Sequence, residues 1–265
     1  MIEKVLNNRI YVLYLIPFCL GLMSVLSFQP FNFSFINFFL LPIIFFLTAY
    51  VRKKSENVYR KKSYRKNLFL LGYTFGFGFY LSGIFWISNS LTFDPSFKFL
   101  IPFAIILIPL FLGLFTGLTT LIIGQYLNYN FSSVLLFSGS LALTDFVRGK
   151  ILTGFPWNIW AYSWSWMNEI LQILNLVGLY AFNIIVITIF TLPAILFFKN
   201  STSKKLLIIS SSLIFIFSIY IYGTFSINKN KSLLDYLNAD NKVYTKVISP
   251  SFELKYNSSI NEIKN

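Results

Sequence analysis

The sequence predicts a mostly α-helical fold, a polytopic membrane bundle of about seven transmembrane helices followed by a polar segment that begins with a β-strand. Composition is the first observation behind this prediction, since 56% of the residues are hydrophobic, 20% are aromatic and only 12% are charged. Soluble domains have roughly 45–50% apolar and about 25% charged residues. The other two observations are a series of apolar runs long enough to cross a bilayer and the clustering of basic residues between them.

Seven apolar runs are predicted as membrane spans. The first is longer than the hydrophobic region of a signal peptide, roughly 7–15 residues, and no small-residue cleavage site follows it, so we predict a retained helix. The fourth exceeds the roughly 20 residues that a span requires, which predicts a tilt or a kink near Pro102 or Pro109. The predicted spans cover residues 10–28, 33–50, 68–87, 99–126, 132–147, 170–198 and 206–227.

Glycine is concentrated in the third predicted span. Small residues at these spacings let neighbouring helices approach closely, so we interpret them as helix-packing residues and not as ligand contacts. The glycines concerned are Gly72, Gly76, Gly78 and Gly83.

Basic residues between the spans predict the orientation of the chain. Residues 52–66 contain eight Lys or Arg residues and one acidic residue, Glu56, and such clusters stay on the cytoplasmic side of a membrane. Alternation of the spans then places the amino terminus and the 199–205 turn on the cytoplasmic side as well. The loop after the fifth span and the segment beyond residue 227 are predicted on the opposite side.

The residue types present exclude several kinds of chemistry. The sequence has no histidine, which excludes Ser-His and Cys-His catalysis and the usual zinc sites, and we predict neither a metal nor a cofactor. Cys19 is the single cysteine and lies in the first predicted span, so the chain cannot form an internal disulfide. The 22 basic against 9 acidic residues do not indicate nucleic-acid binding, because the basic residues lie between apolar spans and not on a soluble module.

A polar loop, residues 144–162 with the sequence TDFVRGKILTGFPWNIWAY, separates the fifth and sixth spans. It places Asp145, Arg148 and Lys150 beside a Gly-Phe-Pro-Trp turn, and four of the five tryptophans lie at 157–166. Indole rings settle at the headgroup level of a membrane, and nearby Lys and Arg side chains can meet phosphate. An ordinary interfacial belt explains the tryptophans alone, but the ordered cluster of charge, glycine and Pro-Trp favours a lipid-contacting site.

The carboxy-terminal segment, residues 228–265, is polar. Alternating side chains at 243–248 predict a β-strand that ends at Ser249-Pro250. Because a single strand is not stable alone, we interpret the segment as the first strand, and the first helix at 258–265, of a larger α/β domain outside the cytoplasm.

Several motifs in this order resemble those of bacterial apolipoprotein N-acyltransferases, and the resemblance covers nearly the whole chain. The Arg-Gly and Thr-Gly-Phe-Pro-Trp elements at their spacing are specific, whereas the glycines of the third span are a weak indication. The motifs are Pro30-Phe31, GFGFYLSGIFWIS at 76–88, DFVRGKILTGFPW at 145–157 followed by Ala161-Tyr162, Gly178-Leu179-Tyr180, and KVISPSFELKY at 246–256.

The resemblance implies an eight-helix membrane domain, of which residues 1–227 would be the greater part, in the bacterial inner membrane. Residues 228–265 would begin a periplasmic nitrilase-like (CN hydrolase) domain that is truncated in this sequence. The resemblance further implies a two-step transfer in which a cysteine thiolate takes an acyl chain from a phospholipid and passes it to the amino group of a diacylglyceryl-cysteine on a lipoprotein. The family's glutamate base, oxyanion lysine and cysteine follow later than residue 265, so we expect the sequence as given to be an inactive fragment without catalytic residues.

Lipid-contacting roles are expected for the loop. Arg148 and Lys150 would meet phosphate, and Asp145 would pair with Arg148 and hold it in place. Trp157 and Tyr162 would pack on glyceryl or acyl groups of the phospholipid.

The chain departs from the family pattern at a few positions. Asp145 stands where the family usually has glutamate, which keeps the acidic role, and Ala161 replaces a glycine before Tyr162. Tyr256 follows Lys255 where the family has a functional tryptophan, and its aromatic ring suggests the same substrate-binding role.

Two hypotheses of other classes stay open at this point. A transporter of a small amphiphile would carry ionisable residues at mid-span or paired broken helices. A non-enzymatic polytopic membrane protein would use its basic loop to bind a partner or anionic lipid. The oligomeric state is left open by the sequence.

Overall fold

The computed structural model describes residues 6–56, 63–151, 154–199 and 201–238, together with the isolated residue 246. Throughout these residues the fold is mostly helical and contains no β-strand, which confirms the predicted helical class. The predicted strand at 243–248 lies outside the described residues except for residue 246, and Tyr256 lies outside them too. The strand and the domain boundary at residue 227 therefore stay predictions.

Eight helices, α1 to α8, make up the described part of the chain. Short 3-10 helices extend or connect them, at Phe85–Thr92 and Pro95–Leu100 before α4, at Trp160–Trp164 before α6 and at Leu192–Phe197 after α7. The helices are α1 (Tyr11–Ser27), α2 (Asn37–Glu56), α3 (Ser63–Gly83), α4 (Ile101–Ile123), α5 (Phe131–Arg148), α6 (Asn168–Leu171), α7 (Leu174–Thr191) and α8 (Thr202–Asn238).

Four helical segments are long and apolar enough to cross a membrane, which supports a polytopic membrane protein. A fifth is added if α3 and the following 3-10 helix, which meet at a bend of 45°, count as one span, and α1 is a shorter apolar helix. The predicted number of seven spans is therefore not established by length and composition. The four segments are Ser34–Lys54, Pro95–Tyr126, Leu174–Phe197 and Thr202–Leu234.

Glycines of α3 bring its backbone against two neighbouring helices, as predicted. A Cβ atom on Gly72 would lie 2.6 Å from the carbonyl oxygen of Thr116 on α4, and one on Gly78 would collide with the backbone of α1. The Thr120 hydroxyl of α4 donates a hydrogen bond to the Leu68 carbonyl of α3 over 2.8 Å. Without a hydrophobic driving force between helices in lipid, such close contact and interhelical hydrogen bonding hold α1, α3 and α4 together.

Contacts between connections define one end of the bundle, which we call the basic end. There Arg9 Nη2 donates to Asn67 Oδ1 over 2.9 Å, and Arg52 Nη1 donates to the Leu127 carbonyl over 2.8 Å. The first bond links the segment before α1 to the start of α3, and the second links the end of α2 to the α4–α5 connection. These described segments therefore lie at one end of the bundle.

The opposite end, which we call the loop end, is rich in aromatic contacts. The Phe28 ring lies 6.2 Å from that of Trp160, and the Trp86 ring lies edge-on to that of Trp157 at 5.6 Å. The loop end therefore gathers the connections at residues 28–36, 84–100 and 149–167.

The last long helix is attached more loosely than the others. Only 11% of its membrane-crossing window is buried, compared with 61% for the Ser34–Lys54 segment. The helix continues to Asn238, beyond the predicted end of the seventh span at residue 227. A largely apolar surface of this extent is suited to contact with lipid chains.

Gly21→Ala is expected to destabilise the bundle, because the added methyl group would meet the backbone of Phe75 and lie 2.7 Å from the amide nitrogen of Phe79. Overpacking of this kind costs about 1–3 kcal/mol. Thermal unfolding in detergent measures the effect. Gly139→Ala on α5 is the matched control, since a Cβ there meets open space and its unfolding midpoint should stay equal or rise. If Gly21→Ala and Gly139→Ala lowered the unfolding midpoint equally, the close contact between α1 and α3 would be contradicted.

Candidate functional site: a loop held by a buried ion pair

The loop between α5 and α6, residues 149–167, folds back on the end of α5. The Phe155 amide donates to the Arg148 carbonyl over 3.0 Å, and the Ile151 amide donates to the Val147 carbonyl over 2.8 Å. Gly154 has φ +77°, a left-handed conformation that glycine adopts at little cost, and it allows the chain to reverse at this point. The loop is therefore a defined turn against the helix end.

Asp145 and Arg148 form a buried ion pair one turn apart on α5. Arg148 Nη2 lies 3.0 Å from Asp145 Oδ1, and the two residues are 1% and 5% exposed. Arg148 Nη1 donates to the carbonyls of Phe155 over 2.6 Å and Trp157 over 2.7 Å. The predicted pairing of these residues is confirmed, and the guanidinium also fixes two positions of the loop.

Aromatic rings enclose the guanidinium of Arg148. Its central carbon lies 5.2 Å from the ring centre of Tyr80 on α3 and 5.7 Å from that of Phe155 in the loop. Such cation–π contacts gain strength when they are shielded from water. The α3 helix, the end of α5 and the loop therefore meet at this one side chain.

Asn183 on α7 completes the buried network. Its Nδ2 donates to Asp145 Oδ2 over 2.8 Å, and its Oδ1 accepts from the Ala161 amide over 2.9 Å. Asn183 is fully buried, and it connects the ion pair to the far part of the loop. It was missed in the sequence because we sought site residues in the loop. An amide in the middle of the sixth predicted span, where Gln172 and Asn175 lie nearer its start, was the available indication.

The tryptophans of the loop divide into buried and exposed rings. Trp160 and Trp164 are 3% and 8% exposed, and the Trp160 ring stacks on Phe79 with centroids 4.9 Å apart. An interfacial belt is therefore the wrong interpretation for these two rings, which belong to the core at the loop end. Trp157 and Trp166 are 51% and 38% exposed and can meet the headgroup region.

The predicted site residues occupy different depths. Lys150 is exposed, Trp157 is half-exposed against Trp86, and Tyr162 is half-buried. Burial raises the pKa of the Tyr162 phenol, and the nearby Tyr180 raises it further, so the hydroxyl is protonated at neutral pH. The guanidinium of Arg148 is covered, so Lys150 is accessible from solvent and Arg148 is not.

Asp145→Ala is expected to destabilise the protein by about 3–5 kcal/mol, because it leaves the charge of Arg148 buried without its partner. Unfolding midpoints measure this. The double variant Asp145→Leu/Arg148→Met removes both charges and should recover much of the loss, but it also removes the donors to Phe155 and Trp157. Protease cleavage within the loop should then increase. If Asp145→Ala lowered the unfolding midpoint no more than Lys150→Ala does, the stabilising role of the ion pair would be contradicted.

Comparison with known proteins identifies the family. A family model described as the apolipoprotein N-acyltransferase N-terminal domain matches residues 20–192. Relatives named apolipoprotein N-acyltransferase include that of Rickettsia typhi, 33% identical over 223 residues, and that of Rickettsia prowazekii, 32% identical over 223 residues; each match covers 83% of this chain and 42% of the relative. That of Rhodopseudomonas palustris is 27% identical over 187 residues, 70% of this chain and 34% of the relative.

The matched region includes every residue of the buried network, from Tyr80 to Asn183. The chain spans less than half the length of these relatives. The chain belongs to the apolipoprotein N-acyltransferase family.

Proposed function

We propose that this chain is the membrane part of an enzyme that transfers an acyl chain from a phospholipid to the amino-terminal S-diacylglyceryl-cysteine of lipoproteins. The observation that carries the proposal is the loop fixed by the buried Asp145–Arg148 pair, which leaves both Lys150 and Trp157 exposed at the loop end. A cation beside an amphipathic ring suits a phospholipid, whose phosphate and glyceryl groups lie at that depth. The relatives' name supports acyl transfer as the chemistry.

The proposed reaction has two steps. A cysteine thiolate attacks an ester carbonyl of the phospholipid, the ester C–O bond breaks, and a lysophospholipid leaves while a thioester forms. The free α-amino group of the lipoprotein then attacks the thioester carbonyl, an amide forms, and the thiolate is released with the amine proton passing to a base. The nucleophile, the glutamate base and the oxyanion lysine belong to a nitrilase-like domain that residues 228–265 begin. Cys19 lies exposed on the apolar helix α1, within a predicted membrane span, and is not this nucleophile.

Each loop residue has a distinct role in this proposal. Lys150 binds the phosphate of the acyl donor, and Trp157 and Tyr162 contact its glyceryl and acyl groups. Arg148 is a positioning residue, since its side chain is buried and both of its Nη groups already engage Asp145 or the carbonyls of Phe155 and Trp157. Contact between Arg148 and phosphate would require the loop to open.

The proposed location is the inner membrane, with the basic end in the cytoplasm and the loop end at the periplasmic surface. Apolar helices and the family support a multi-pass membrane protein. The hydrogen bonds that unite the basic connections at one end support a single cytoplasmic face. The acyl acceptor, a lipoprotein anchored in the periplasmic leaflet, then shares the side of the loop.

In the protein that contains this chain, Lys150→Gln should slow formation of the acyl-enzyme thioester from phospholipid about tenfold. The reason is that a charge-assisted hydrogen bond contributes about 1.5–3 kcal/mol. Hydroxylamine-sensitive labelling by a radioactive phospholipid measures the rate. Lys150→Arg should restore most of it. Lys98→Gln removes another exposed lysine at the loop end and should have little effect. Equal rates for Lys150→Gln and the unaltered protein would refute the phosphate contact.

Cysteine labelling tests the orientation independently of activity. In a Cys19→Ser background, a membrane-impermeant thiol reagent added outside the inner membrane should label Lys150→Cys and leave Lys199→Cys unlabelled, since both positions are exposed at opposite ends. Permeabilised membranes should allow both to react. If only Lys199→Cys were labelled in intact cells, the topology would be the reverse of the proposed one.

A further inference from the structure

A second polar site lies at the basic end, away from the 149–167 loop. It is a cleft of about 100 Å³ between the last turns of α2 and the connection that joins α4 to α5. A volume of this size accommodates a phosphate group with its bound oxygens. The cleft is lined by Ala49, Arg52, Lys53, Leu127, Asn128 and Tyr129.

Hydrogen bonds between the two walls give the cleft a defined shape. Arg52 Nη1 donates to the Leu127 carbonyl and to Asn128 Oδ1, each over 2.8 Å. The Asn128 amide in turn donates to Ser133 Oγ over 2.8 Å, which fixes the connection to the first turn of α5. Because both walls are fixed before any ligand arrives, binding costs little conformational entropy.

The charge of the cleft favours an anion. Arg52 and Lys53 both line it, and none of the described lining residues is acidic. Lys53 Nζ lies 5.3 Å from the ring centre of Tyr129, so the ammonium group is held over the opening while its three donors stay accessible to solvent. Burial raises the pKa of the Tyr129 phenol, so its hydroxyl is protonated at neutral pH and can donate as well.

Apolar surface continues from the cleft towards the lipid. The Tyr129 ring lies 5.9 Å from that of Phe46, which lies 5.7 Å from that of Phe197. Phe197 is 75% exposed, so the strip ends at the surface of the protein. A ligand with a phosphate at one end and acyl chains at the other can therefore occupy the cleft and the aromatic strip together.

We propose that this cleft binds the phosphate of an anionic phospholipid in the leaflet opposite to that of the acyl donor. Basic pockets between helices on the cytoplasmic side commonly bind such headgroups. Residues 52–66 carry eight basic residues and one acidic residue, so the surroundings of the cleft attract an anionic headgroup more strongly than a zwitterionic one. The site does not depend on acyl transfer, and its ligand is retained and not consumed.

Binding of phosphatidylglycerol to the purified full chain in phosphatidylcholine nanodiscs tests the proposal. Lys53→Gln should weaken retention of phosphatidylglycerol about fivefold, the effect expected for one surface cation on an anionic lipid. Lys54→Gln is the matched control, because Lys54 is the next lysine on the same helix but donates to Asn7 Oδ1 over 3.0 Å and does not line the cleft. Both variants should unfold at the temperature of the unaltered protein, so that misfolding does not explain the difference.

A separate arm distinguishes a lipid from free phosphate. Inorganic phosphate at millimolar concentration should leave phosphatidylglycerol bound, because the aromatic strip contributes only to the lipid. Displacement by inorganic phosphate would identify a free-anion site and overturn the lipid assignment. If Lys53→Gln and Lys54→Gln weakened the retention of phosphatidylglycerol equally, the lipid would be attracted by the whole basic end and the proposed binding site in the cleft would be overturned. Equal retention of phosphatidylglycerol and phosphatidylcholine would overturn it too.

Discussion

The rest of the loop end depends on the ion pair between Asp145 and Arg148. Two charges removed from water are costly unless the donors and acceptors around them are matched, and here the carbonyls of Phe155 and Trp157 and the amide of Asn183 match most of them. Within the described part of the chain, Arg148 Nε is the one atom of the pair without a hydrogen-bond partner. The loop cannot move away without exposing an unmatched charge to apolar surroundings. A surface segment rich in glycine and aromatic residues is thereby fixed in one conformation.

The network also explains how residues far apart in sequence act on one loop. Tyr80, Asp145 and Asn183 come from three helices, and each touches the guanidinium or its partner carboxylate. The glycine contacts that hold α3 close to α1 and α4 set the position of Tyr80 in turn. Helix packing in the membrane and loop geometry at its surface are thus parts of a single structure.

Composition and the lengths of the apolar runs were sufficient to predict the helical class and a multi-pass membrane protein. The pairing of Asp145 with Arg148 was expected within the polar loop, and the structure shows that both residues lie on one face of α5, where residues three apart are neighbours. Burial was not predictable in the same way. In the sequence, nothing distinguishes Trp160 and Trp164 from the exposed Trp157, because all three are tryptophans of one loop. Only the path of the folded loop decides which rings enter the core. Asn183 was missed for the same reason, because its partners lie 38 and 22 positions away in sequence.

The small buried fraction of α8 has a consequence for biosynthesis. The tight contacts among α1, α3 and α4 and the network joining α3, α5 and α7 all lie earlier in the chain. The interior can therefore be completed while α8 is still being translated. When α8 leaves the insertion machinery, most of its surface contacts lipid and not protein. Whatever is attached after Asn238 is consequently joined to a finished scaffold through a helix that meets lipid along most of its length and approaches the protein closely at Gly223, against the Glu169 backbone.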